Sequence, residues 1–342
     1  MEFGVYTFAD LGVDPQTGKL GNAKDRLREV LQAAKLTDEV GLQVFGVGEH
    51  HRLDYAISSV PVVLSAISQQ TKNIQLTSAT TVLSTVDPVR LYEDFATLDL
   101  LSNGRAEIMA GRGALVDSFQ LFGYNLEQYN ELFEEHLELF LKLNSEATIT
   151  WKGNHRPALS NADISPRATN PIPVWVGVGG TPASAKRAGR YGVGMAIVIL
   201  GDDPKCFVPL VEDYRTAFNA AGHPKEQCKL AITGHGYFTE DGKQARETFY
   251  TYFNNYWTYV NKQRNMFFHL DREDYDQMTS PEGSLFIGEP DEIIEKILKQ
   301  HELLGHSRFL AQLDIGALPY KEVEKSIELL ATKIMPGVNK YI

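Results

Sequence analysis

Two periodicities take turns along the chain: short runs rich in β-branched and apolar residues, then longer stretches whose apolar residues recur every three to four positions. Residues 2–8 read as a first strand, and residues 10–21, with their Pro and Gly, as a loop. A helix follows with Leu27, Val30, Leu31, Ala34 and residues 36–40 on its apolar side, and Gly41 stops it before a second strand over 43–47. Ser59 and Pro61 open the next helix, 62–71, and the β-branched run 74–82 predicts a buried third strand. Asp87 then supplies an N-cap with Pro88 at the first helical position. Leu91, Phe95, Leu98 and Leu101 recur at helical spacing until Asn103 and Gly104, and residues 105–110 form the fourth strand.

The alternation lapses after a long helix over 126–143, in a stretch that holds Trp151 and three prolines. It resumes with a strand at 174–178, a helix at 181–191, a strand at 194–200, a helix opened by Asp203 and Pro204, and a strand at 229–238. A polar and aromatic helix over 242–262 leads into a second lapse, followed by a helix at 290–304, a strand at 307–314 and a closing helix at 319–334. Eight strand–helix units predict an α/β fold, a closed (β/α)8 TIM barrel in one domain spanning 1–342, with irregular excursions at about 144–172 and 263–289. Excursions of that length often serve as lids.

At 342 residues the core is not limiting, and a formal charge of −11 with no basic run argues against nucleic-acid binding. Any phosphate site must therefore be local. Cys206 and Cys228 lie in segments that read as helix and strand, with neither a disulfide framework nor metal spacing. No apolar run approaches the ~18 residues that span a bilayer, and the start MEFGVYTFAD is not a signal peptide, so a soluble cytoplasmic protein without membrane partners is expected.

In a barrel, reactive groups gather where strands end. The fourth strand delivers Gly111-Arg112-Gly113. An arginine offers a planar fork that matches a phosphate, and glycines let a ligand approach the backbone; the competing reading is an arginine paired with a surface carboxylate. The second strand delivers Gly48-Glu49-His50-His51-Arg52, whose adjacent histidines point to opposite faces and so do not share a metal. Other strand ends supply no hard ligand, so no metal is expected; a structural histidine bonded to a carbonyl is the plain alternative to a catalytic one. The fifth strand delivers Val178-Gly179-Gly180-Thr181, then Ser184. Free N–H groups, helix polarity and two hydroxyls there make an anion site or an ordinary N-cap, and the glycine order is not the dinucleotide fingerprint. Tyr6, Thr7 and Phe8 stand at the end of the first strand, where they line a pocket or fill the barrel mouth. His235 and Gln312 lie near rims with no partner legible in the sequence.

The order of the third strand, the DPVR helix start (residues 87–90) and the GR…GRG segment (104–113) resembles the bacterial luciferase-like family of flavin-dependent monooxygenases, and the likeness runs from Phe3-Gly4-Val5 to Met335-Pro336. The resemblance implies that Arg112 holds the phosphate of FMN, with Thr181 and Ser184 as a second wall of the same site. It implies a cis peptide between Ala79 and Thr80 under the flavin, and His50 as a base beside it, with His51 structural. Luciferase's α chain has a cysteine where this chain has Gly111, so no thiol role carries over. The expected activity is oxygenation of a small organic substrate with reduced FMN and dioxygen, the reduced flavin coming from a separate reductase. The alternatives are a dehydrogenase using the deazaflavin coenzyme F420, and a non-catalytic flavin carrier. A homodimer is expected, with Leu91, Phe95 and Leu98 considered for the contact. Neither the substrate nor light emission is legible.

Overall fold

A computed structural model describes residues 1–113, 117–262 and 270–342. The chain runs β1 (Glu2–Thr7), α1 (Ala23–Glu39), β2 (Val44–Val47), α2 (Val60–Ser68), β3 (Gln75–Ser78), β4 (Thr81–Val82), α3 (Pro88–Ser102), β5 (Ala106–Gly111), α4 (Asp117–Phe122) and α5 (Tyr129–Ser145). Then come β6 (Thr148–Trp151), β7 (Leu159–Asp163), β8 (Val174–Val178), α6 (Pro182–Arg190), β9 (Gly194–Ile199), α7 (Val208–Ala220), β10 (Leu230–Phe238) and α8 (Gly242–Lys262). The last elements are α9 (Arg272–Thr279), β11 (Phe286–Gly288), α10 (Pro290–Leu304), β12 (Arg308–Gln312), α11 (Tyr320–Leu329) and α12 (Met335–Val338).

Among the described residues eight parallel strands close on themselves in the order β1-β2-β3-β5-β8-β9-β10-β12, and β12 returns to β1. The expected TIM barrel is the fold. Each strand exposes one row of side chains to the helices and the other to the barrel axis. The outer rows and the helices form one continuous apolar core, while Tyr6, Val44, Ala79, Met109, Trp175, Ala196, Ala231 and Leu310 pack together as the inner one.

The bottom of the axis is closed by charge. Arg308 donates to both oxygens of Glu107 at 2.5 and 3.0 Å and to Glu2 at 2.8 Å, and its guanidinium lies 4.4 Å from the centre of the Trp175 ring. Both Arg308 and Glu107 are buried, so each is tolerable only because the other is there.

Several elements depart from the sequence expectation. The strand expected at 74–82 is two, β3 and β4, separated by Ala79 and Thr80, whose shared peptide is cis, as the resemblance implied. β3 pairs with the start of β5 and β4 with its end. Between them the Ser78 hydroxyl donates to Met109 O and accepts from Met109 N, both at 3.0 Å, replacing the missing ladder bonds. α3 begins as expected, with Asp87 accepting from Val89 and Arg90 N–H. Leu91, Phe95 and Leu98 are buried in the core, which removes them as a contact face between subunits, while Leu101 is half exposed.

α4 was not expected. The first excursion is not irregular throughout: β6 and β7 form an antiparallel hairpin, held at its turn by Glu135 of α5, which accepts from the N–H groups of Asn154, His155 and Arg156. The second excursion contains α9 and β11, which pairs with the end of β10; its residues 263–269 lie outside the described residues. Cys206 sits in a single helical turn and Cys228 just ahead of β10, both as free thiols. No described helix is long and apolar enough to cross a membrane.

Candidate active site at the carboxyl ends of the strands

A cavity of about 160 Å³ opens at the carboxyl ends of the strands. β1 supplies Tyr6 and Phe8 follows it, His50 and Tyr55 come from the segment after β2, Ala79 and Thr80 from the break in the third strand, and Tyr256, Trp257 and Val260 from α8. The mouth expectation for Tyr6 and Phe8 resolves to pocket lining. His50 stands between two aromatic rings, with centroids 4.7 Å from Phe8 and 4.2 Å from Tyr55, and its main-chain N–H donates to Ile57 O at 3.0 Å. A larger cavity of about 360 Å³ lies in the helical shell among α8, α9 and α10, where Arg246 pairs with Glu292 and Arg272 with Glu247. Those charges already satisfy one another, and none of the sequence candidates lines this cavity.

His51 turns the other way, as the alternation of a strand end requires. Its Nε2 lies 3.7 Å from Glu49 Oε1 and its ring meets Phe122 edge-on. Glu49 also accepts from Val82 N–H at 2.9 Å, which ties the segment after β2 to β4.

Thr80 connects the cavity to the neighbouring strand ends. A Cβ at Gly111 would come 2.6 Å from Thr80 Oγ1, and one at Gly177 would come 3.1 Å from Thr80 Cγ2. Only glycine at these two positions leaves the threonine its place against β5 and β8. The residues beyond those glycines are Arg112 and Gly179-Gly180-Thr181.

Two arginines bracket β5, and they have opposite surroundings. Arg105, buried at the start, is saturated: Nε and both terminal nitrogens donate to Ser68 O, Thr71 O and Oγ1, Ile74 O and Ser102 O at 2.8–3.1 Å. It fastens α2, β3 and α3 together. Arg112, at the end, donates to Tyr129 Oη at 3.1 Å, Asn130 Oδ1 at 2.7 Å and Thr181 Oγ1 at 3.1 Å, with its guanidinium 4.9 Å from the Tyr129 ring centre. All of these partners are neutral. Among the described residues Arg112 has no carboxylate within ion-pair distance, which disposes of the surface ion pair that the sequence left open.

The Arg112–Thr181 bond brings two of the sequence candidates together, from β5 and from the start of α6. Thr181 occupies the N-cap of α6 but its hydroxyl caps no N–H of that helix. Ser184 is buried, with its hydroxyl unbonded among the described residues. Gly179 and Gly180 have open space where a Cβ would project. A positive charge with no carboxylate beside it among the described residues, the N-terminal end of a helix and a spare hydroxyl suit a phosphate dianion. The residues present fit the phosphate of FMN.

Three contributors were missed. Tyr129 and Asn130 hold Arg112, and Tyr55 flanks His50; none has a sequence signal. The aromatic richness of 249–260 was visible and does mark the wall over the cavity, although its target was not legible. Behind that wall is a buried acid: Asp10 accepts from Tyr259 Oη and, at 3.0 Å, from Gly316 N–H. Burial pushes its carboxyl up to about 6, against the pull of Arg26.

The profile of the family described as luciferase-like monooxygenase matches residues 1–307. The solved monooxygenase RslO1 from Streptomyces bottropensis superposes with a TM-score of 0.84 at 25% identity, covering 98% of this chain and 99% of that one. The oxygenase component of the flavin-dependent trigonelline monooxygenase of Acinetobacter baylyi is 22% identical over 369 residues, covering 99% of this chain and 96% of the relative. An F420-dependent glucose-6-phosphate dehydrogenase of Amycolatopsis mediterranei is 30% identical over 179 residues, but this covers only 49% of the chain and 52% of the relative. By the extent of the profile match and the shared barrel, the chain belongs to the luciferase-like monooxygenase family.

Proposed function

We propose that the protein is the oxygenating component of a two-component flavin-dependent monooxygenase, which takes reduced FMN from a separate reductase and uses it with dioxygen to oxygenate a small organic substrate. The observation that carries this reading is Arg112, charged and, among the described residues, held only by neutral partners beside the start of α6. Arg112, Thr181 and Ser184 bind the phosphate. Ala79 and Thr80 support the ring, and Gly179 and Gly180 leave the phosphate room. Phe8, Tyr55, Tyr256 and Trp257 surround the reacting centre with apolar surface and exclude water from it. His50 holds a proton on an imidazole nitrogen at the cavity wall and exchanges it with the reacting partner. Bound reduced flavin supplies the electrons for oxygen activation.

The F420-dependent relative keeps a dehydrogenase reading in play. A fluorescence titration of the purified protein with FMN and with F420 decides between them. Saturable binding of FMN with F420 at least tenfold weaker is expected, and the reverse order makes the dehydrogenase the function.

The proposal places the enzyme in the cytoplasm as a homodimer. With the expected apolar row of α3 turned inward, the apolar residues left on this side are Val62 of α2 and Leu100 and Leu101 of α3. Light scattering at micromolar concentration is expected to give twice the 38.2 kDa chain mass, and a monomer mass rejects the pairing.

A further inference from the structure

Three inward-facing side chains stand side by side at the top of the barrel axis. Tyr6 of β1 is in register with Gln312 of β12, and Gln312 with His235 of β10. Their direction follows from the inner core: Leu310 and Ala231 belong to it, and residues two and four further along the same strands face the same way. All three are buried, at 4%, 0% and 1% exposure.

Among the described residues none of their polar side-chain atoms is hydrogen-bonded. The Gln312 amide has neither oxygen nor nitrogen paired, His235 has neither ring nitrogen paired, and the Tyr6 hydroxyl, which faces Thr233, makes no bond of good geometry. One such atom in a folded protein is costly, and five in a single layer call for a partner from outside the chain. The layer adjoins the cavity, because Tyr6 and Thr233 line it and because Tyr256 and Trp257, also in its wall, meet the His235 ring at 5.7 and 6.3 Å.

The chemistry of the guest follows from what the layer lacks. The nearest charges on these strands are engaged elsewhere: Arg308 with Glu107 and Glu2 below, and Asp314 with Thr7 and Arg26 at the edge. Burial pushes His235 down to about 3, so its ring is neutral and offers one donor and one acceptor. A charged group would enter without a counter-ion, which burial penalises heavily. An uncharged group that both donates and accepts is matched, and a carboxamide suits best, since it can pair with the Gln312 amide through two parallel hydrogen bonds. We propose that Tyr6, Gln312 and His235 form a polar subsite at the end of the cavity that binds an uncharged carboxamide or similar donor–acceptor group of the substrate. The inference rests on the cavity being the substrate pocket.

The test uses the FMN-loaded protein and two probes of similar size, benzamide and isopropylbenzene, with binding read by calorimetry and by perturbation of the flavin spectrum. Benzamide is expected to bind at least about tenfold more tightly, since a site built for hydrogen bonds rejects a partner that has none. Gln312→Leu and His235→Phe should each remove most of that preference, keep FMN affinity, and leave Tm equal or raised, because each deletes buried polar atoms that nothing among the described residues satisfies. Equal affinity for the two probes, or no binding of either, overturns the proposal; so does a preference that survives both substitutions. A fall in Tm with the preference intact makes the layer structural, and ordered water in a benzamide-soaked crystal makes it a water site only; either result overturns it. If the unaltered protein prefers benzamide but fails to bind FMN, the flavin reading falls and the subsite stands.

Discussion

Replacing His50 with alanine is expected to lower turnover by about 10²–10⁴-fold, the usual worth of a positioned acid–base group, while FMN stays bound. The reason is placement. His50 lies in the wall of an aromatic cavity, between Phe8 and Tyr55, while its neighbour His51 faces Glu49 and Phe122. An imidazole nitrogen can hold a proton in one step and give it up in the next. With the substrate undefined, the measurement is stopped-flow mixing of the reduced FMN complex with oxygen, following the return of flavin absorbance and the yield of hydrogen peroxide. His50→Ala should change the rate or the peroxide yield clearly, and His51→Ala should change them much less, with both variants loaded with flavin. A His50 variant indistinguishable from the unaltered protein would make this histidine structural and strengthen the non-catalytic carrier reading.

Arg112→Ala should weaken FMN by about 1.5 to 3 kcal/mol, or roughly 10- to 150-fold in Kd, the scale of a charge-assisted hydrogen bond. Its three hydrogen-bond partners among the described residues are all neutral, so its removal leaves no carboxylate unpaired there and the fold should survive. Riboflavin, which has no phosphate, should bind equally well before and after. Arg112→Lys should fall between, keeping the charge and losing the fork. Equal losses for FMN and riboflavin would take Arg112 away from the phosphate and leave the flavin reading without its main support.

The barrel was legible because each strand–helix pair carries its own local marks. Asp87 and Pro88 fix the start of α3, Asn103 and Gly104 its end, and the Gly-flanked Arg112 announces a strand end whatever its neighbours. Face assignment was less legible. Leu101 continues the spacing of Leu91, Phe95 and Leu98 yet is half exposed, because a helix of 3.6 residues per turn drifts off a fixed stripe. The break between β3 and β4 left no trace in composition, since Ala79 and Thr80 fit a strand as well as their neighbours do. The partners of the site were hidden by distance: Arg112 meets Thr181 across 69 residues of chain, and α8 reaches the cavity from about 200 residues beyond His50. Periodicity reports what one element buries, and it carries no information about which distant element arrives to meet it.

The seam of the barrel has a consequence for how the chain can be made or cut. β1 waits for β12, and the Glu2–Arg308 contact joins residues 306 positions apart. On the ribosome, everything before Arg308 emerges with two unpaired sheet edges, β1 and β10, and with the Glu107 carboxylate facing a barrel axis that lacks its cation. The family match stops at residue 307, one position short of the strand that joins these edges. A fragment trimmed to the matched region would thus leave the β1 and β10 edges open and the Glu107 carboxylate without its cation, and would not be a smaller enzyme.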